Sequence, residues 1–172
     1  MLRTLWADEV SSFGGEFYTI PAGRQDPRPV QTPGPPVLLG GMSRPAIERA
    51  GRIADGWITS SRADLSKIPE AVAVIREAAS AAGRDPGAVR IVCRGVVQAG
   101  PSDGEGQGPG GGRRLLSGSY AQIREDAAWL AEQGVSELFY DLNWDPQVGS
   151  PSVEPAAAAA RAEEILAALA PR

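Results

Sequence analysis

Two short clusters of glycine and hydroxyl-bearing residues are the parts of this sequence best suited to binding a charged ligand. The first cluster follows the apolar run at residues 37–39, and the second follows the apolar pair Trp57-Ile58. Glycines leave backbone N–H groups open to an anion, and the N-terminus of a following helix favours negative charge. The candidate binding residues are Gly40, Gly41, Met42 and Ser43 in the first cluster, and Thr59, Ser60 and Ser61 in the second.

Each cluster also has a purely structural interpretation, and the sequence leaves both open. The glycine turn, residues 40–43, is equally suited to a tight strand-to-helix connection with Ser43 as the helix N-cap. It is neither a Walker loop nor a complete G-x-G-x-x-G motif. The hydroxyls of residues 59–61 could instead cap a helix in a solvated loop. Trp57 is expected in the core, and a side chain at Gly41 is expected to obstruct a phosphate without unfolding the chain.

Four further polar residues are weaker candidates. Asp141 and Asn143 end the last predicted strand, where they could form a polar wall, although capping of a turn is the favoured interpretation. Arg113 and Arg114 border a glycine-rich stretch and could clamp a phosphate, although a solvated charge pair is favoured. The sequence has no histidine and one cysteine, so we predict no metal site and assign no catalytic residue. Cys93 lies in an apolar run and is expected to be a core thiol.

The elements that would position these clusters alternate between strand and helix. Strands are predicted near residues 37–40, 57–59, 90–97 and 138–142, and helices over residues 44–54, 67–82, 120–133 and 155–169. Apolar strands that alternate with helices indicate an α/β fold with a parallel sheet under outer helices. We expect one partial-barrel domain over residues 1–172, with β-α units at 37–97 and 115–172. Residues 1–36 are expected to form a helix tail, a hairpin and a proline-rich connector, and residues 98–114 a glycine-rich flexible loop.

The bulk composition restricts the class of partner. The 172 residues carry a net charge of −4 without a long basic run, which argues against nucleic acid as a partner. There is no apolar run of the length that crosses a membrane and no signal-peptide pattern, so a cytoplasmic location without a membrane is expected.

In this order along the chain, the motifs resemble those of the luciferase-like monooxygenase family. The resemblance begins with Leu5-Trp6, continues through the hairpin at residues 13–18 and the Pro-Pro strand, and includes the glycine turn. It continues in the following helix and strand with Arg49-Ala50 and residues 54–57. It ends with Gly118-Ser119, Gly134-Val135 and Glu137-Leu138. The match covers nearly the whole chain outside residues 98–114 and corresponds to the second half of that family.

The resemblance implies a fold and a function. Family members are TIM (β/α)8 barrels that use coenzyme F420 or FMN, so this chain would supply units five to eight, the C-terminal half of a barrel. The implied function is an F420-dependent oxidoreductase that transfers a hydride to or from a small-molecule substrate, with FMN as the alternative cofactor. The seven residues of the two clusters would then contact cofactor or substrate, and Arg113 and Arg114 could bind the acidic tail of F420.

The resemblance also implies that half of the barrel is missing. The chain is expected to be a fragment, to pair with a second copy as a homodimer, or to pair with a separate N-terminal half. A fourth possibility is a self-sufficient α/β layer. The alternative function is a non-catalytic half-barrel, a fragment or interaction module without turnover.

Overall fold

The computed structural model describes residues 2–100 and 112–171, which fall into two compact units, residues 1–37 and 38–172. The first unit begins with helix α1, Leu2–Ala7. Strands β1, Ser11–Gly14, and β2, Thr19–Gly23, follow and form an antiparallel hairpin. Residues 24–37 contain neither helix nor strand.

The second unit is built on a four-stranded parallel sheet, which confirms the predicted fold class. Its four strands lie side by side in the order in which they occur along the chain, and all three neighbouring pairs are parallel. The strands are β3, Leu38–Gly40; β4, Gly56–Ile58; β5, Arg90–Val96; and β8, Glu137–Asp141. The helices are α2, Arg44–Ile53; α3, Ile68–Ala81; α4, Tyr120–Glu132; and α5, Pro155–Leu169.

Helices α2 and α4 begin directly after the serines that the sequence predicts as their N-caps. Ser119 precedes α4 and forms the predicted capping box with Gln122, in which each side chain bonds the other residue's backbone N–H. Ser43 takes the N-cap position of α2, but its side chain makes no capping hydrogen bond. That hydroxyl is therefore not used by the helix that it precedes.

The core of the second unit lies on one face of the sheet. Trp57, Ile91 and Cys93 come from that face and are buried together with helix residues such as Ile75 and Ile123. Burial raises the pKa of the Cys93 thiol to about 12, which confirms the expected core thiol. Side chains that alternate with these along the strands, among them Ile58 and Arg94, point to the opposite face, called here the inner face.

Two short strands flank the glycine-rich stretch. Strand β6, Gln98–Ala99, pairs in parallel with β7, Ser117–Gly118. The predicted flexible loop over residues 98–114 is therefore wrong at Gln98 and Ala99, because these residues form a strand. The part of that prediction at residues 101–111 lies outside the described residues.

Candidate functional site

The glycine turn lies at the carboxyl end of β3, the end of a parallel strand at which TIM-barrel sites form. Strand β3 ends at Gly40 and helix α2 begins at Arg44, so residues 40–43 make the whole connection. All four are exposed. The Ser43 carbonyl oxygen accepts from the N–H groups of Ala46 and Ile47, at 2.9 and 3.0 Å. The turn thus leaves exposed backbone directly ahead of a ten-residue helix.

The turn is attached to the core through a tryptophan. Trp57 is fully buried, as the sequence predicted, and its Nε1–H donates to the Gly41 carbonyl oxygen over 2.9 Å. Strand β4 pairs with β3 in a register that places Trp57 opposite Leu39. The position of the turn is therefore fixed from beneath by the same side chain that fills the core.

The two glycines are required for different reasons. Gly41 has a φ of +118°, and a Cβ there would lie 2.7 Å from the Cβ of Ala46. A side chain at Gly41 would therefore be strained, because both the backbone and Ala46 oppose it. The expectation that the fold survives such a change stays a prediction. At Gly40 a Cβ would meet the Ile58 carbonyl oxygen at 3.6 Å, an ordinary contact. Gly40 is the position where a side chain can be added without straining the turn.

The second cluster does not behave as one loop. Thr59 is buried, and its Oγ1 accepts from the backbone N–H of Arg94 on β5 at 2.9 Å. This hydroxyl joins two strands, so neither an open ligand position nor a solvated cap describes it. Ser60 is exposed. The Ser61 side chain interacts with the carboxylate of Asp141 on β8 and contributes to lowering the pKa of that carboxyl group.

Asp141 is the centre of a polar cluster at the carboxyl ends of β5 and β8. Its carboxylate accepts from the backbone N–H of Asn143 at 3.1 Å and from the Asn143 amide at 2.8 Å. The Arg94 Nε also donates to it, over 3.1 Å. The predicted turn cap is present, and the same carboxylate also contacts Arg94 on a second strand. The interpretation of Asp141 as the polar wall of a ligand site stays a prediction.

The charge of Asp141 is stabilised. Burial alone would raise its pKa, but hydrogen bonds from Ser61 and Asn143, together with the charge of Arg94, hold the pKa of Asp141 below its ordinary value. The carboxylate is therefore ionised at neutral pH.

Arg94 is a site residue that the sequence reasoning missed. It lies within the apolar run of β5, on the inner face between Val92 and Val96, where every neighbour on the strand is buried. One signal was available in the sequence, since a charged residue between buried apolar positions of a strand requires a partner. The partner itself, Asp141, is 47 residues away along the chain.

A cation and an aromatic ring extend this cluster at its rim. The Arg62 guanidinium lies 4.9 Å from the centroid of the Trp144 ring. Arg62 follows β4 and Trp144 follows β8, so the contact links two loops at the carboxyl end of the sheet. The arrangement can bind and orient an anion or a polar ring. Within residues 2–100 and 112–171 no group of three or more metal-binding side chains occurs.

Arg113 is not part of this cluster, and the expectation of a solvated charge there is wrong. Its guanidinium forms two hydrogen bonds of 2.7 Å with the buried carboxylate of Asp126 on α4. Asp126 also accepts from the backbone N–H of Leu116 at 2.7 Å. The hydrogen bond to Asp126 raises the pKa of Arg113. This ion pair fastens the chain ahead of β7 to helix α4.

Comparison with known proteins gives a family. Residues 1–107, more than half of the chain, match the model of the luciferase-like monooxygenases. The chain is 34% identical over 82 residues to the FMNH(2)-dependent dimethylsulfone monooxygenase of Pseudomonas putida, covering 48% of this chain and 22% of that protein. It is 39% identical over 85 residues to an uncharacterized protein of Mycobacterium tuberculosis, covering 49% of this chain and 29% of that protein.

Comparison with solved structures gives a matching fold. An F420-dependent secondary alcohol dehydrogenase, solved in complex with an F420-acetone adduct, superposes with a TM-score of 0.69 at 15% identity. The match covers 99% of this chain and 59% of that enzyme. The sheet order, parallel pairing and partial coverage define half of a TIM-barrel fold. The chain belongs to the luciferase-like monooxygenase family, and its matches span less than a third of the length of these two sequence relatives.

No helix in the parts of the chain that the structure describes is both long enough and apolar enough to cross a membrane.

Proposed function

We propose that this chain binds the phosphate of the cofactor in an F420- or FMN-dependent oxidoreductase that acts on a small-molecule substrate. The observation that supports this most is the exposed glycine turn at the carboxyl end of β3, immediately ahead of α2. A phosphate there would meet open backbone N–H groups and the positive end of a helix dipole. F420 is the leading cofactor and FMN the alternative, since similar proteins include users of each.

The residues present fit such a group. The hydroxyl of Ser43 makes no capping bond and can donate to a phosphate oxygen. Gly40 is exposed and carries no side chain at the end of β3, and Trp57 holds the turn in place through Gly41. The exposed Ser60 and the Ser61–Asp141 contact provide polar groups at the same end of the sheet. When bound, the cofactor would supply the ring that donates or accepts the hydride.

Closure of the site would require a second half-barrel. Strands β3 and β8 are the edge strands of the sheet. Phe139, on the inner face of β8, is 56% exposed. A second copy of the chain or an N-terminal half could cover this surface. The second candidate function is a non-catalytic half-barrel without turnover, an interaction module for which the exposed Phe139 would supply apolar contact surface.

Fluorescence titration with F420 and with FMN, done separately, tests the proposal. Gly40→Val should weaken binding of the cofactor by more than about tenfold, equivalent to about 1.4 kcal/mol. Gly14→Val is the matched control, because Gly14 also ends a strand ahead of a second glycine and a Cβ there meets nothing within 4 Å. Equal affinity of parent and Gly40→Val would remove the phosphate role of the turn. Absence of binding, even with an N-terminal half added, would favour the non-catalytic alternative.

A further inference from the structure

Arg94 presents an unused pair of donors on the inner face of the sheet. Its Nε donates to Asp141, and neither of its Nη groups donates a hydrogen bond to a residue within 2–100 or 112–171. Its side chain is 47% exposed. A guanidinium held by one edge offers its remaining N–H groups as a fork that matches a carboxylate or sulfonate.

Both ends of Arg94 are held. Its backbone N–H donates to the buried Thr59 hydroxyl at 2.9 Å. Its Nε contacts a carboxylate whose side chain is 1% exposed and which accepts two further hydrogen bonds from Asn143. A donor that is already positioned loses less entropy when a ligand binds, so this arrangement favours binding over a freely moving surface arginine.

The charge around Arg94 favours an anion. Arg62, over the Trp144 ring, adds a second cation to the loops at this end of the sheet. Arg62 and the half-exposed Arg94 therefore both present positive charge at this end of the sheet. A neutral ion pair would bind an anion less well, and the described inner face contains such a pair at its opposite end, between Arg90 and Glu137.

We propose that Arg94, positioned by Asp141, binds an anionic group of the substrate, a carboxylate or a sulfonate on a small organic molecule. That the anion belongs to a substrate rests on the proposed function. The binding itself needs no cofactor. Asp141 acts through Arg94 and is a positioning residue.

The test is an NMR titration of the cofactor-free chain, which separates this proposal from the cofactor titration. The probes are methanesulfonate and acetate, with neutral dimethyl sulfone as the uncharged comparison. Both anions should shift the Arg94 Nε–Hε signal, and dimethyl sulfone should not. Absence of a shift with either anion, or an equal shift with dimethyl sulfone, would overturn the proposal, whatever the result with F420 or FMN.

Two arginines on one strand provide a matched pair of variants. Arg94→Gln should weaken binding of methanesulfonate by at least about tenfold. Arg90→Gln, on the same face of β5 and also paired to a carboxylate of β8, should change it less than about twofold. Arg94→Lys keeps the charge without the fork and should give an intermediate affinity. An equal loss in Arg90→Gln and Arg94→Gln would contradict a specific site.

Asp141→Asn distinguishes positioning from simple charge. If Asp141 acted only through its negative charge, its removal would strengthen binding of an anion. If it positions Arg94, the variant should bind methanesulfonate several times more weakly, and Asp141→Glu should recover part of the affinity. Stronger binding by Asp141→Asn would overturn the positioning role.

Discussion

The indole of Trp57 donates to the carbonyl oxygen of Gly41 over 2.9 Å, and so the largest buried side chain of the second unit also fixes the exposed turn. Core packing and the candidate site are therefore coupled at one residue. A change that weakens the packing of Trp57 should also weaken the order of the turn.

Trp57→Phe should lower the free energy of unfolding by about 2–4 kcal/mol. The smaller ring leaves unfilled volume, and the Gly41 carbonyl oxygen loses its donor. Urea denaturation measures this change. Trp144→Phe, at a ring that is half exposed, is the control and should cost less than about 1 kcal/mol. Similar losses in the two variants would show that the buried contact has no special role.

Gly41→Ala should destabilise the chain more than Gly40→Ala, by about 1–3 kcal/mol. The left-handed backbone at Gly41 disfavours any side chain, and Ala46 opposes a Cβ there. Gly40→Ala makes only an ordinary contact with Ile58. Thermal and urea unfolding of the pair gives the comparison, and equal midpoints would contradict the geometry described for the turn.

Asp126→Asn should cost about 1–3 kcal/mol of stability. The reason is that the buried carboxylate of Asp126 accepts two charge-assisted hydrogen bonds from Arg113, and the variant weakens both. Asp26→Asn is the matched control, since Asp26 pairs with Arg24 at an exposed position. It should change stability by less than about 1 kcal/mol. Denaturation at neutral pH compares them, and a negligible effect of Asp126→Asn would show that Arg113 is held by other contacts.

Asp141 should make the chain sensitive to acid. Its pKa is below the ordinary carboxyl value, so the folded state binds this proton less readily than the unfolded state does. The stabilisation is present above the unfolded pKa of about 4 and is lost as the pH falls through the folded value. Urea midpoints measured from about pH 6 down to about pH 3 should fall more steeply for the parent than for Asp141→Asn. Parallel pH profiles would contradict this assignment.

The sheet, the helices and the position of the glycine turn could be predicted because their signals are local. Apolar runs, glycine stops and the Ser119–Gln122 capping box lie within a few residues of the elements that they define. The parallel direction of the strands followed from the alternation of apolar strands with helices.

The ion pairs could not be predicted because the sequence does not show which distant charge meets which. Arg94 is bonded to a carboxylate 47 residues away, and the Arg113 partner lies 13 residues away on a helix. The use of Thr59 as a bond between strands also depends on the register of β4 and β5. Contacts of this kind follow from the folded sheet and have no local pattern.

Comparison of FMN with riboflavin by amide NMR tests the central claim most directly, because the two ligands differ by one phosphate. FMN is expected to shift the backbone N–H signals of Met42, Ser43 and Arg44, and riboflavin is expected to leave these three signals in place. Shifts of these amides that are equal for the two ligands, or an FMN effect confined to other residues, would contradict a phosphate site at the glycine turn.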